Sequence, residues 1–150
     1  MSDSKHKVLF VCIHNSARSQ MAEAFLKKYG SEHFEAESAG LEPGKLNPNV
    51  VEVMEEIGID ISKNRTQGVF DLFRQGKLFN VVISVCDGAS AERCPIFPGK
   101  VKRILWSFAD PSSFTGTHGE ILEQTRKVRD EIKEKVLQLI SEAPLTSFWI

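Results

Sequence analysis

Lys7 to Gly30 reads KVLFVCIHNSARSQMAEAFLKKYG, and this stretch decides the fold. Lys7–Cys12 is a short apolar run rich in β-formers, without the alternation of a half-exposed strand; it reads as a strand buried on both faces. From Ala17 to Tyr29 the period changes. Met21, Ala24, Phe25 and Lys28 recur at spacings of three and four, as on one face of a helix, and Gly30 ends it. Only Ile13–Ser16 separate the two. A strand, a tight loop and a helix make the first half of a βαβ unit, which requires a parallel neighbour strand.

Outward from this unit the pattern repeats. Phe34–Ser38 is a weak second strand ending at Ala39-Gly40. Asn47-Pro48 opens a helix, Asn as cap and Pro at the first helical position, which runs to about Ile57 with Gly58 at its C-terminal end. Thr66–Gln75 reads as a further short helix and Phe79–Val85 as the clearest buried strand. Cys86–Gly99 is a long loop or short helix broken by Pro95 and Pro98. Val101–Trp106 is a fourth strand. Ile121, Thr125, Val128, Ile132, Val136 and Leu139 place a last helix over Glu120–Ser141, its mixed charges forming a solvated face. The expectation is one α/β domain over 1–150, a four-stranded parallel sheet in the flavodoxin-like order 2-1-3-4 with flanking helices. There is no repeat, low-complexity tract or linker.

Composition agrees and narrows the classes. A chain of 150 residues with 41% hydrophobic content can bury a core without staples, and 19 basic against 20 acidic side chains give a net charge of −1. That balance argues against a chain-wide nucleic-acid or anionic-membrane surface and leaves room for a local anion site. The opening MSDSKHK is polar and the apolar run after it is short, so neither an export signal nor a membrane span is expected; a cytoplasmic location is. Cys12, Cys86 and Cys94 are too few and too unevenly spaced for a secreted disulfide framework. With no C-x-x-C, and with His6, His14, His33 and His118 scattered, no zinc site or other cofactor is expected.

Chemistry gathers where strands end. Cys12-Ile13-His14-Asn15-Ser16-Ala17-Arg18-Ser19 is a Cys-x5-Arg loop entering a helix. Taken alone that spacing is a weak signal. In a strand–loop–helix setting the loop amides turn inward, the helix terminus adds partial positive charge, and Arg18 can fork two bonds to a tetrahedral oxyanion. The same field favours the thiolate of Cys12, Asn15 tolerates a left-handed backbone, and the Ser19 hydroxyl can donate to the sulfur. An equally open reading makes Cys12 a small core residue and Arg18 a surface charge. Asp110-Pro111, after the last strand, is an ordinary turn dipeptide that also stands at the edge where open α/β sheets bind ligands; Asp110 could there protonate a leaving oxygen. Cys86 ends the strand next to that of Cys12, within disulfide range after modest loop movement, and Cys94 follows a small-residue stretch that could fold back onto it. Two unremarkable thiols remain the alternative.

CIHNSARSQMAEAF resembles the phosphate loop of the low-molecular-weight tyrosine phosphatase superfamily, and the chain is most similar to the thioredoxin-coupled arsenate reductases of that fold. The resemblance runs from about Lys7 to Leu139 through ESAG (Glu37–Gly40), LNPN (Leu46–Asn49), EEIGIDIS (Glu55–Ser62), VVISVC (Val81–Cys86), Cys94-Pro95, VKRILWSFADP (Val101–Pro111) and VRDEI (Val128–Ile132). It implies that Cys12 attacks arsenate held by Arg18 and the loop amides of Ile13, His14, Asn15, Ser16, Ala17, Arg18 and Ser19, with Asp110 assisting the leaving oxygen. Cys86 then attacks Cys12 and Cys94 attacks Cys86, leaving a disulfide for thioredoxin or a similar dithiol protein. A phosphatase of the same fold, using Cys12, Arg18 and Asp110 on an aryl phosphate, is the first rival; Ser112-Ser113 stand where that branch carries aromatic residues. A non-catalytic phosphate-binding or redox-sensing module is the second. The Cys86–Cys94 spacing is one residue longer than in those reductases. Some relatives hold potassium beside the loop; Asn15, Glu23 and Ser38 match that site, but Gln67 replaces its acidic fourth ligand, and no metal is expected here. The tail Leu145–Ile150, with Phe148 and Trp149, lies outside the resemblance and is expected to dock on its own domain.

Overall fold

A computed structural model of the chain describes residues 5–86 and 88–144. Its elements are β1 (His6–Cys12), α1 (Arg18–Gly30), β2 (Phe34–Gly40), α2 (Pro48–Glu55), α3 (Val69–Arg74), β3 (Val81–Ser84), the single turn α4 (Gly88–Ala91), β4 (Lys102–Leu105), a 3-10 turn (Pro111–Ser113) and α5 (His118–Glu142). The strands form one parallel sheet in the order β2-β1-β3-β4, as the sequence implies.

The unbroken apolar run of β1 is explained by cover on both faces. Val8, Phe10 and Cys12 pack with Met21 and Phe25 of α1, Val50 and Met54 of α2, and Ile132 and Val136 of α5. Leu9 and Val11 point the other way, into a smaller cluster of Val69 and Leu72 of α3 with Phe79, Val82, Cys94 and Phe97. Each such side chain, fully withdrawn from water, contributes about 1.5–3 kcal/mol.

Differences from the expected boundaries have local causes. β3 and β4 are shorter than the apolar runs, yet Asn80, Val85 and Trp106 still donate to carbonyls of the neighbouring strand. α3 begins at Val69 rather than Thr66 because Gly68 bridges to Gly40, and the Gln67 carbonyl accepts from Gly40 N at 2.9 Å. α5 begins at His118, two residues before the expected Glu120, in a capping box: Thr117 accepts from Glu120 N while Glu120 accepts from Thr117 N. Gly30 is not a left-handed stop but the last helical residue. A Cβ there would lie 2.9 Å from Leu26 and 3.1 Å from Ile140, so the glycine lets α1 approach α5. Among the described residues no helix is long and apolar enough to cross a membrane. The tail 145–150 lies outside the described residues.

Candidate active site

Between Cys12 at the end of β1 and Arg18 at the start of α1, the chain turns through Asn15, whose φ of 54° lies in the left-handed region where Asn is among the few tolerated residues. What shapes the loop is the disposal of its carbonyls. Those of Cys12, Ile13, His14 and Ser16 accept from the backbone N–H groups of Leu41, Glu42, Gly44 and Asn47 at 2.8–3.1 Å. That of Asn15 accepts from Gln20 Nε2 at 3.1 Å. With the carbonyls bound outward, the amides turn inward. Asn15 N–H points at Cys12 Sγ, 3.2 Å away. Ala17, at the N-cap of α1, offers no side-chain acceptor, so no side-chain cap occupies the donors of the first turn.

A second chain of bonds sets the sulfur. Gln67 N–H, which can only donate, fixes Asn15 Oδ1 as the acceptor at 2.9 Å. Asn15 Nδ2 must then be the donor, to Ser19 Oγ at 2.8 Å and to Ser38 Oγ at 2.9 Å. Ser19, its oxygen accepting from Asn15, keeps a hydroxyl hydrogen that it can donate to a Cys12 thiolate, whose Sγ lies 2.8 Å away. A thiolate here receives two donors, a backbone amide and a hydroxyl. Asn15, Ser19 and Gln20 are buried to 1% exposure or less, so the network is held by packing as well as by bonds.

Arg18 and Asp110 meet across the sheet edge. Arg18 Nη1 donates to the Phe108 carbonyl at 3.2 Å, and Nη2 lies 3.5 Å from Asp110 Oδ2. Arg18 Nε is buried and has no acceptor among the described residues. Leaving a buried donor so costs about 1–3 kcal/mol, which an oxyanion would relieve. Asp110 serves two purposes: Oδ1 caps the 3-10 turn through Ser112 N at 3.0 Å, and Oδ2 faces Arg18.

Cys86 is brought to the same edge. The β1–β3 register pairs Val11 with Ser84, and Val85 N bonds to Val11 O at 2.8 Å, so Cys86 begins one residue beyond the rung opposite Cys12. Both belong to the larger core cluster. Cys94 does not join them: it lies in the cluster on the other face, 5% exposed, its thiol 3.6 Å from Pro95 O. The stretch expected to fold back onto Cys86 is partly the turn α4, with Cys94 N bonded to Ala91 O. Within that stretch Arg93 pairs with Glu42 at 2.8 Å, holding the Glu42 carboxyl below its ordinary range and tying the Cys94 segment to the residue whose N–H binds Ile13 O. None of the three cysteines is joined in a disulfide.

Burial pushes the Cys94 thiol up to about 11, against a smaller opposing influence of Arg103, and nearby Cys86 adds to the rise. Set against its ordinary value of 9.0, two units mean about a hundredfold less thiolate at neutral pH. Iodoacetamide is therefore expected to label Cys94 in the reduced folded protein at least about a hundredfold more slowly than in the urea-unfolded chain. Peptide mapping by mass spectrometry over time checks this, and equal rates would show that Cys94 is not shielded.

The residues implied as potassium ligands do not present a cation site. Ser38 O accepts from Gln67 Nε2 at 2.8 Å, Asn15 Oδ1 is taken by Gln67 N and Gln20 Nε2, and Glu23 is bonded by Ser38 Oγ and by Lys27. No cluster of three or more His, Cys, Asp or Glu suited to a metal occurs among the described residues.

Sequence reasoning reached the loop and Asp110 but missed Gln20, Gly40 and the Phe108 carbonyl. Only Gly40 carried a signal, since a glycine within a strand marks close approach of another backbone. Of the loop side chains, His14 alone turns out of the cradle, donating from Nδ1 to Glu42 O at 2.8 Å.

Comparison with known proteins follows the same lines. The sequence profile of the low molecular weight phosphotyrosine protein phosphatases matches residues 7–146. The chain belongs to that family. Within it, an arsenate reductase of Shouchella clausii is 44% identical over 135 residues, covering 89% of this chain and 94% of the relative. A solved arsenate reductase in the oxidized state superposes with a TM-score of 0.76 at 35% identity, covering 91% of this chain and 97% of that one. A thioredoxin-dependent arsenate reductase of Corynebacterium glutamicum gives 0.61 at 28% identity, covering 92% of this chain and 65% of that one.

Proposed function

We propose that this member of the phosphatase family reduces arsenate to arsenite with a three-thiol relay, in the reducing cytoplasm where its cysteines stay as thiols. The observation that carries the reading is a second thiol, Cys86, at the sheet edge where the loop's own thiol stands. A phosphatase needs water as the second nucleophile, a reductase needs sulfur. Relatives matched over most of their length, and named arsenate reductases, support it.

In this mechanism the loop amides and the Arg18 guanidinium hold the oxyanion and Cys12 thiolate attacks arsenic, forming an As–S bond. Asp110 gives a proton to the departing oxygen, which leaves as water. Cys86 thiolate attacks Cys12 Sγ; the electron pair of the As–S bond stays on arsenic, which departs as arsenite, and a Cys12–Cys86 disulfide remains. Cys94 attacks Cys86 and releases Cys12 as thiolate. The Cys86–Cys94 disulfide then takes two electrons from a dithiol protein, with thioredoxin as the expected donor. Because Cys94 sits in the opposite cluster, the segment around α4 has to rearrange for that last exchange.

The test is NADPH oxidation in a mixture of thioredoxin reductase, thioredoxin, the protein and arsenate. Arsenate-dependent consumption is expected, lost by at least about a thousandfold in Cys12→Ser. The phosphatase reading rests on the Arg18–Asp110 pair at the loop. It replaces the first if arsenate is inert while aryl phosphate hydrolysis depends on Cys12 and is unchanged by Cys86→Ser and Cys94→Ser.

A further inference from the structure

Behind the oxyanion loop lies a cleft of about 210 Å³ lined by Gln20, Glu23, Ser38, Asn64, Arg65 and Gln67. Glu23 and Ser38 line it, and its Gln67 bonds both the Ser38 carbonyl and Asn15 Oδ1, so oxygens of the loop's support gather around that one residue and the Glu23 carboxylate. Left uncompensated, these oxygens would repel the oxyanion and loosen Asn15, whose left-handed backbone and side-chain amide set the geometry of Ser19 and Cys12. In this chain each oxygen meets a hydrogen donor of the protein itself. The Ser38 carbonyl can only accept, so the Gln67 side-chain atom 2.8 Å away is the amide nitrogen. The same residue's backbone N–H holds Asn15 Oδ1 at 2.9 Å. The Lys27 ammonium pairs with Glu23 Oε2 one helical turn away, and Ser38 Oγ donates to Glu23 Oε1. The flank also carries the Arg65 side chain, which adds positive charge.

We infer that Gln67 and Lys27 are positioning residues that stand in for a monovalent cation, the amide capping Ser38 O and the ammonium neutralising Glu23, so that the loop of this chain is organised for its oxyanion without potassium. A bound cation would have to displace the Gln67 amide and compete with a covalently tethered ammonium for the same carboxylate. The inference concerns the loop as an oxyanion site and holds whether the protein reduces arsenate or hydrolyses a phosphate ester.

Inorganic phosphate serves as the probe, because it tests the loop without redox chemistry. Its affinity is measured by calorimetry, and thermal melting by fluorescence, in potassium, sodium and choline chloride at equal ionic strength. Wild type is expected to be indifferent, with affinities agreeing within about twofold. Gln67→Glu turns a carboxylate toward Ser38 O and is expected to weaken phosphate binding in choline and recover it about tenfold in potassium. Lys27→Met releases Glu23 and is expected to shift the same way by a smaller factor; Lys27 is 59% exposed, so this variant folds even if Gln67→Glu does not. A general loss of structure would lower affinity equally in all three salts, whereas the inference requires a gain specific to potassium or sodium. Tenfold tighter phosphate binding by wild type in potassium than in choline would overturn it. So would indifference of both variants to the cation.

Discussion

In a Cys94→Ser variant, thioredoxin-coupled arsenate reduction is expected to fall by roughly three orders of magnitude while one arsenite per protein molecule is still released in the first turnover. In the proposed relay Cys12 and Cys86 suffice to move two electrons onto arsenic, so the first cycle would run to a Cys12–Cys86 disulfide. A serine hydroxyl at position 94 cannot attack that disulfide at neutral pH, so Cys12 stays oxidised and the loop cannot take a second arsenate. Non-reducing mass spectrometry after one turnover would find the Cys12–Cys86 link in the variant and the Cys86–Cys94 link in wild type. The raised proton affinity of buried Cys94 gives the order a physical basis. Held as a thiol on the far face of the sheet, it does not compete with Cys86 for the first exchange. Undiminished steady-state turnover in Cys94→Ser would remove this residue from the relay, and loss of the first turnover as well would give it a structural role instead.

Gly40→Ala is expected to cost about 1–3 kcal/mol of stability and at least about a hundredfold in oxyanion affinity. A Cβ at this position would lie 2.7 Å from Asn15 N, 2.8 Å from His14 C and 2.8 Å from Ile13 O. These are backbone atoms of the loop, so no rotamer change can relieve the clash; either β2 withdraws or the loop moves. Movement of Asn15 breaks its N–H bond to Cys12 and its amide bond to Ser19. Gly44→Ala is the control, since its Cβ meets His14 Cβ only at 3.4 Å and leaves the loop backbone alone. Urea denaturation and phosphate calorimetry on both variants decide the matter. Wild-type phosphate affinity in Gly40→Ala would show that β2 can yield without disturbing the cradle.

The elements that could be read early are those whose signal is local. A continuous apolar run such as Lys7–Cys12 reads as a covered strand, Asn47-Pro48 reads as a helix start, and a Cys-x5-Arg segment between strand and helix reads as a loop whose amides can face the sheet edge. The alternation of strands and helices, with right-handed crossovers, narrows the strand order to a few, and the flavodoxin-like order expected among them is the one found. The ends of elements were less legible. Thr66–Gly68 has the composition of a helix start but is drawn out by its bonds to Gly40 and Asn15, partners more than twenty residues away in the chain.

The sequence alone therefore determined the parallel α/β sheet, the placing of a Cys-x5-Arg segment between its first strand and first helix, and the presence of two further thiols. Tertiary structure alone decided that Asp110 faces Arg18, that Gly40 braces the loop, that Gln67 fixes the direction of the Asn15–Ser19 hydrogen bonds, and that Cys94 rests across the sheet from Cys12. The division has one cause. Periodicity and capping are properties of neighbouring residues, whereas the direction of a hydrogen bond and the burial of a thiol depend on groups that only folding brings within 3 Å of each other.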